Sequence, residues 1–397
     1  VAIGPKALTT NTTGSNNTGV GAEALGDNTT GTGNVALGNF ALSCNIDGYN
    51  NTGLGNASLL KNTTGDMNTG VGHDALACNT TACSNTAVGQ DALRINTTGA
   101  KNTGIGHNSL ICNTTGTENT ALGHESIKFG TTGDYNVAVG VFTLGGSDIN
   151  TGDHNIAIGR KALFDNTSGA CNVAVGSSAL ENNTTAVDNV AIGKNALAAN
   201  TTTGLNTAIG TNALCSHNAN GVDNTAVGHG ALKGSTEGYY NTAVGKNALS
   251  NVTTGDNNLG FGRDSGVDAV RNITSGDNEI VIGNNSHGSA FIKIDWTVTS
   301  DLRDKTNIED VSYGLDFVNQ ITPIKYKFKT SREDETPIGK SKFGFKAQEI
   351  LALEGDNPII INNDDEDNLK LTSAYLVPVL VNAIKELSVK IKKLEDK

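Results

Sequence analysis

Before residue 300, the side chains able to do chemistry are few and scattered. The six cysteines are Cys44, Cys78, Cys83, Cys112, Cys171 and Cys215. Cys44, Cys78 and Cys112 share one phase, two coils apart, which at about 10 Å is too far for a disulfide. Cys78 and Cys83 flank one turn and are candidates for a disulfide, and the last two have no evident partner. Small buried thiols are the default interpretation of the cysteines. Zinc-type spacing is absent, and the histidines fit turn or corner positions. The sequence therefore predicts no metal and no cofactor.

The motif Asn-Thr-Thr is a second chemical signal. It recurs at Asn11, Asn28, Asn62, Asn79, Asn96, Asn113, Asn183 and Asn200. The motif matches the N-glycosylation acceptor, but its fixed phase after a glycine is also explained by turn chemistry, so both interpretations stay open. Adjacent threonines followed by glycine disfavour an ice-binding face, which needs threonines that alternate along a strand. Sparse carboxylates offer no regular pair for polysaccharide cleavage, which disfavours an enzyme of that kind.

A 17-residue repeat positions these side chains. A large apolar residue followed by glycine recurs from Ile3-Gly4 to Ile282-Gly283, and 13 of the 16 intervals between these glycines are 17 residues. The consensus is Asn-Thr-Ala-Val-Gly-x-x-Ala-Leu-x-x-Asn-Thr-Thr-Gly-x-x, a short strand followed by corners. A unit this short suits one coil of a parallel β-helix or β-roll, stacked on the next at about 4.8 Å.

The strand of each coil carries an alternating pattern. The positions three and one before the glycine are mostly β-branched or large apolar residues, which predicts that both face the coil interior. The position between them is Ala or Gly in every coil except at Val281. This uniform smallness predicts close approach of a neighbouring subunit, or alternatively a tight corner within one chain. Asn recurs four before the glycine and predicts a stacked amide ladder.

Composition excludes several classes of protein. The net charge of −12 argues against nucleic acid as a partner, because an acidic surface repels phosphates. No apolar run approaches the roughly 18 residues of a membrane span, so no membrane insertion is expected.

A different pattern begins near residue 300. Its motifs are Ser300-Asp301-Leu302-Arg303-Asp304-Lys305, Ile324-Lys325-Tyr326-Lys327-Phe328, Phe343-Gly344-Phe345-Lys346-Ala347-Gln348-Glu349-Ile350 and the run 376–387. Together they resemble the C-terminal intramolecular chaperone domain of phage endosialidases and tail fibres, peptidase family S74. The predicted division is a shaft at 1–284, a connecting strand at 285–299 and an α+β chaperone domain at 300–397.

That resemblance implies trimerisation of the β-rod and a single self-cleavage. On this sequence the nucleophile would be Ser300, the base Lys305 and the scissile bond Thr299-Ser300, with Asp301 and Arg303 as supporting residues. A lysine that loses solvent in an assembled trimer can take the serine proton. No external substrate is implied. The alternative is a module that folds and caps the rod without cutting it.

The last segment, about 374–395, predicts a coiled-coil helix. Its apolar seam, Val377, Leu380, Ile384, Leu387, Ile391 and Leu394, is spaced as a heptad. β-branched residues at one seam position with Leu at the other favour two strands, whereas the resemblance implies three. With so few heptads the trimer is preferred. A helix that packs on its own domain is the alternative.

The array also resembles the head repeats of trimeric autotransporter adhesins, although those repeats are usually shorter. The combined prediction is a homotrimeric structural fibre of a virion, located on the virion surface or outside cells. The alternative is an adhesin that binds a host receptor or glycan through the rod. The breaks in the period, residues 141–158, 216–226 and 263–282, are the predicted receptor segments.

Overall fold

The computed structural model describes residues 1–397 except 147, 219, 269–270, 288–299, 330–331, 333, 364–368 and 397. It divides into two compact units, Val1–Ser286 and His287–Lys397. The predicted connecting strand lies outside the described residues from position 288 onward, and Thr299 lies outside them too.

The first unit is a parallel β-solenoid with one short strand in each coil. The strands are β1 Ala2–Ile3, β2 Thr18–Val20, β3 Val35–Leu37, β4 Thr52–Leu54, β5 Thr69–Val71, β6 Thr86–Val88, β7 Thr103–Ile105, β8 Thr120–Leu122, β9 Val137–Val139, β10 Ile156–Ile158, β11 Val173–Val175, β12 Val190–Ile192, β13 Thr207–Ile209, β14 Thr225–Val227, β15 Thr242–Val244, β16 Leu259–Phe261 and β17 Ile280–Ile282. Each pairs in parallel with the next, and equivalent residues lie side by side, as in Thr86 with Thr103. The predicted β-helical class and coil length are confirmed.

The predicted faces of the strand are wrong. The small middle residue is buried, as at Ala87, while the large residues on either side of it, such as Val88, are half-buried or exposed. A Cβ added at Gly70 would lie 3.4 Å from Cγ of Leu59, in the preceding coil. The small residues are therefore required by close packing within one chain, and not by a neighbouring subunit. A coil of 17 residues is too thin to hold both flanking side chains inside.

The interior is filled by apolar side chains from the corners that follow the strands, leucine in most coils and Ile127 after β8. Leu93, Leu180 and their equivalents are fully buried and form one continuous core with the strand alanines. Leu180 has a φ of 51°, in the left-handed region that branched side chains rarely adopt. The glycine that follows each strand is also required on steric grounds. Gly89 has a φ of 133°, and a Cβ there would lie 2.6 Å from the carbonyl oxygen of Gly106.

Two buried asparagine ladders connect the coils. In the predicted ladder, the amide nitrogen of Asn34 donates to the carbonyl oxygen of Gly48 over 2.7 Å, and its backbone N–H donates to Oδ1 of Asn17 over 2.9 Å. The second ladder is built from the Asn-Thr-Thr asparagines. Asn45 extends it with a 2.7 Å bond from Nδ2 to Oδ1 of Asn28. The first ladder was predicted correctly, and the second was missed.

The second unit is a small α+β domain. Its elements are a 3-10 turn Leu302–Asp304, α1 Leu315–Gln320, β18 Ile324–Lys329, β19 Pro337–Gly344, α2 Ala347–Glu354, β20 Ile361–Asn362, β21 Lys370–Leu371, a 3-10 turn Ser373–Tyr375 and α3 Leu376–Glu395. The strand pairs β18–β19 and β20–β21 are antiparallel. Phe317, Ile350, Ile360, Ile361, Leu376 and Val379 form its core.

Two further expectations concern covalent links and membranes. All six cysteines are free, so the candidate disulfide between Cys78 and Cys83 does not form. None of the six is buried, so the expectation of small buried thiols is wrong. Among the described residues, no helix combines the length and apolarity needed to cross a bilayer.

Candidate functional site

Ser300 and Lys305 lie side by side at the start of the second unit. Lys305 donates from Nζ to Oγ of Ser300 over 2.8 Å. The 3-10 turn Leu302–Asp304 folds the chain so that these residues, five positions apart, meet. A serine hydroxyl in hydrogen-bond contact with an amine is the arrangement of a nucleophile and its base.

Asp301 and Arg303 build the turn that holds this pair. Oδ1 of Asp301 accepts from the backbone N–H of Arg303 over 2.9 Å and caps the turn. The Arg303 guanidinium donates to both carboxylate oxygens of Asp301, over 3.0 Å to Oδ1 and over 2.5 Å to Oδ2. The hydrogen bonds from the Arg303 side chain and backbone lower the pKa of Asp301. The structure thus brings all four predicted residues together.

The four residues lie at the surface of the single chain. Ser300, Arg303 and Lys305 are exposed, and Asp301 is half-buried. In water, the contact with lysine activates the serine hydroxyl little. A lysine amine works best as a general base when solvent is removed from it. The arrangement can therefore support nucleophilic attack once another surface covers it. Thr299, on the other side of the predicted scissile bond, lies outside the described residues.

Helix α3 uses one face for its own domain and leaves the heptad seam uncovered. Leu376, Val379 and Ala383 are buried. The six seam residues, Val377, Leu380, Ile384, Leu387, Ile391 and Leu394, are between 45% and 70% exposed. The helix does pack on its own unit, as the alternative in the sequence analysis held, but through a face other than the seam.

The solenoid carries a second uncovered surface, here called the apolar stripe. It consists of the residue before each corner glycine: Ile3, Val20, Leu37, Leu54, Val71, Val88, Ile105, Leu122, Val139, Ile158, Val175, Ile192, Ile209, Val227, Val244, Phe261 and Ile282. All are apolar and none is buried. Because β1 to β17 stack in register, the stripe runs along the whole sheet. Contiguous exposed apolar surface of this extent marks an interaction site.

Sequence reasoning missed two polar clamps in the second unit. The carboxylate of Glu354 accepts backbone N–H bonds from Ile359, Ile360 and Ile361 over 2.8, 2.8 and 3.0 Å. On α3, the carboxylate of Glu386 accepts from the backbone N–H of Leu315 over 2.9 Å. In the sequence, the signals for these two contacts were Glu354 at the end of the apolar helix α2 and Glu386 beside the seam of α3.

Seven of the eight Asn-Thr-Thr asparagines are buried and do not suit glycosylation in the folded rod, while Asn11 is half-buried. Asn62, Asn96 and Asn200 are fully buried, and Nδ2 of Asn96 donates to Oδ1 of Asn79 and to the carbonyl oxygen of Gly99, each over 2.9 Å. The turn interpretation therefore describes the folded chain, and the glycosylation alternative does not.

The three predicted receptor segments differ in structure. The first exposes Ile149, which is 64% accessible. The second buries His217, and the third closes on itself through an ion pair between Arg271 and Glu279. Position 147, position 219 and positions 269–270 within these segments lie outside the described residues.

A comparison with known protein families gives a match that includes this site. Residues 300–356 match the family model for the chaperone of endosialidase, Peptidase_S74. The match covers the Ser300–Lys305 turn, β18, β19 and α2, and it ends before α3. The chain therefore combines a parallel β-solenoid with a segment similar to that chaperone family. No curated protein and no solved structure matches the chain.

Proposed function

We propose that the chain is the subunit of a homotrimeric virion fibre. Residues 1–284 are its shaft, 285–299 the connection, and 300–397 a module that directs trimerisation and folding. The single observation that carries the proposal is the apolar stripe, which offers one exposed or half-buried apolar residue in each of the 17 coils. The fibre is displayed on the virion surface, outside the host cell.

The period of the stripe supports a second copy of the rod as its partner. Its side chains repeat at the coil spacing of about 4.8 Å along the whole sheet, without a break at the longer coils. A partner that covers such a surface must present the same spacing over the same length. Another copy of this rod does so, and identical subunits close into cyclic symmetry.

The second unit supplies a matching contact. The exposed seam of α3 spans three heptads, and burying a Val, Leu or Ile side chain contributes roughly 1.5–3 kcal/mol. The number three comes from the resemblance to the endosialidase chaperone, because that family acts in trimer formation. Assembly that begins at α3 would align three stripes in register.

The mass of the assembled particle tests this proposal. Wild type is expected to be a trimer by native mass spectrometry and by light scattering. Ile384→Lys combined with Leu387→Lys in the seam, or Leu122→Lys combined with Ile105→Lys in the stripe, is expected to reduce the trimer fraction.

Matched controls place the same charge on exposed residues outside both surfaces. Val389→Lys on α3 and Thr115→Lys on the rod are expected to leave the trimer intact, since both residues are exposed. A monomeric wild type with a folded circular-dichroism spectrum would contradict the proposal.

We further propose that the module cuts its own chain once, between Thr299 and Ser300. The support is the 2.8 Å contact from Lys305 to Ser300 and the family match that begins at Ser300. Solvent is excluded from this exposed pair only when subunits assemble, so cleavage follows trimerisation. Intact mass of purified protein tests the step, which yields a fragment that begins at Ser300. An uncut trimer would leave the module as a permanent cap.

Adhesion is the second candidate function. The observation that favours it is Ile149, which is exposed in a coil longer than its neighbours. Its test is binding of the purified rod to host cells or to a glycan array, before and after segment 141–158 is replaced by a regular 17-residue coil. Loss of binding in the variant supports a receptor site there. Equal binding would remove this segment from consideration.

A further inference from the structure

We propose that His73, Asp74 and Asp91 form a binding site for a divalent transition-metal ion of the Zn²⁺ type, on the outer surface of two successive coils. All three residues lie in the first unit, and the second unit with its Ser300 site plays no part in the proposal. The inference is independent of the fibre proposal.

The ligand atoms of these three residues already converge. One imidazole nitrogen and two carboxylate oxygens all lie within 4.8 Å of one another, and within the described ranges this is the one group of three His, Cys, Asp or Glu residues that does so. Nδ1 of His73 is 3.4 Å from Oδ2 of Asp74. Tetrahedral Zn²⁺ with bonds of about 2.1 Å places neighbouring ligand atoms about 3.4 Å apart. This pair therefore needs little rearrangement.

The coil geometry holds the three side chains on one face. His73 and Asp74 follow one corner glycine, and Asp91 occupies the position of Asp74 in the next coil. Asp74 and Asp91 share the same left-handed backbone, with φ of 56° and 57°. The backbone N–H of Asp91 donates to the carbonyl oxygen of His73 over 3.0 Å. Two residues from one coil and one from the next thus approach from a rigid scaffold.

The donor set selects the kind of metal. Ca²⁺ and Mg²⁺ prefer oxygen ligands alone, whereas an imidazole nitrogen with carboxylates suits Zn²⁺ and its neighbours in the transition series. Three protein ligands leave one tetrahedral position for water. The His73 side chain is 56% exposed, which gives an ion a direct path from solvent.

In the absence of metal, two neighbouring donors contact the carboxylate of Asp91. Arg94 places Nη1 3.6 Å from Oδ1 of Asp91, and Gln90 donates from Nε2 to Oδ2 over 3.2 Å. A bound cation would replace the Gln90 hydrogen bond and repel Arg94. Removing the Arg94 charge is therefore expected to strengthen metal binding, whereas removing a ligand is expected to weaken it.

Calorimetric titration of the full-length protein with ZnCl₂, and separately with CaCl₂ and MgCl₂, tests the site. We expect Zn²⁺ binding that weakens roughly tenfold or more in His73→Ala and in Asp91→Asn. The matched control is His229→Ala, because His229 holds the equivalent position in its coil but is followed by Gly230. Arg94→Gln is expected to tighten binding by about threefold. Circular dichroism checks that each variant keeps its fold.

Two outcomes would overturn the proposal. One is unchanged Zn²⁺ affinity in His73→Ala together with loss in the double variant His107→Ala, His124→Ala, whose rings stack at 5.3 Å. The other is a thiolate charge-transfer band when Co²⁺ fills the site, because that band would place the ion on the free cysteines. The proposed ligands contain no sulfur, so they give no such band.

Discussion

Lys305 reaches back across one 3-10 turn and donates from Nζ to Oγ of Ser300 over 2.8 Å. The contact is local, since both residues flank the turn Leu302–Asp304 and Asp301 caps it. A dyad built on one turn can form before the rest of the module folds. Its activity then depends on what later covers it.

Substitutions in this turn should distinguish the two reacting residues, Ser300 and Lys305, from Asp301, which holds the turn. Ser300→Ala and Lys305→Met are expected to abolish cleavage, since each removes one reacting group. Asp301→Ala is expected to slow cleavage by about fivefold, because loss of the cap that Oδ1 provides costs about 1 kcal/mol. The measurement is the time course of intact mass. Ser341→Ala, on the exposed strand β19, is the control, and a full-length product in wild type would contradict the dyad assignment.

The buried ladder at Asn96 should be sensitive to loss of its amide. Asn96→Ala removes two donated bonds and leaves Nδ2 of Asn113 without its 2.7 Å acceptor. We expect destabilisation of about 1–3 kcal/mol, measured by hydrogen exchange in coils near residue 96. Thr98→Ala at an exposed position of the same turn is the control.

The same burial predicts that assembled rods carry no N-glycan at Asn96. Expression in a host with the glycosylation machinery, followed by peptide mapping of the folded fraction, checks this. Glycan found on Asn96 in protected, folded rods would show that the ladder does not form as described.

His217 should make one coil sensitive to acid. It stands where other coils carry a ladder asparagine; its Nε2 donates to the carbonyl oxygen of Gly221 over 2.6 Å, and its Nδ1 is buried without a partner. Burial lowers the pKa of His217 below its usual 6.5. Because the folded chain favours the neutral ring, stability is full above about pH 6.5 and falls as the pH drops toward the lower folded pKa, by up to about 1.4 kcal/mol per pH unit.

His217→Asn is the matched variant for this effect, since it restores the ladder residue. Hydrogen exchange of residues 214–222 between pH 7.5 and 5 should show a loss of protection in wild type that the variant lacks. Equal pH profiles for the two proteins would assign the acid response to other groups.

Glu354 should be important for the second unit. Its carboxylate accepts bonds from three backbone N–H groups, those of the two residues before β20 and of its first residue, Ile361. Glu354→Gln replaces one accepting oxygen by a donor, and we expect the unit to lose about 2 kcal/mol. Thermal unfolding of the full chain gives the measurement. Glu395→Gln, at the exposed end of α3, should leave the transition unchanged.

The coil period and the β-helical class were readable from the spacing of a corner glycine that recurs, in most coils, every 17 residues. The pairing of Ser300 with Lys305 was expected from the resemblance to the endosialidase chaperone, and one local turn is enough to form it. Local spacing of this kind needs no knowledge of distant contacts. The first Asn ladder follows from the same period, since equivalent residues of stacked coils must be neighbours.

Only the tertiary structure decided which side of each strand faces inward. In a three-residue strand, alternation fits two opposite assignments, and the width of the coil selects the one that buries Ala87 and leaves Val88 half-buried. The seam of α3 is similar: heptad spacing identifies it, but the burial of Val379 and Ala383 shows that the domain uses another face. His73 and Asp91 meet for the same reason, because stacking of coils, and not proximity in sequence, sets which side chains touch.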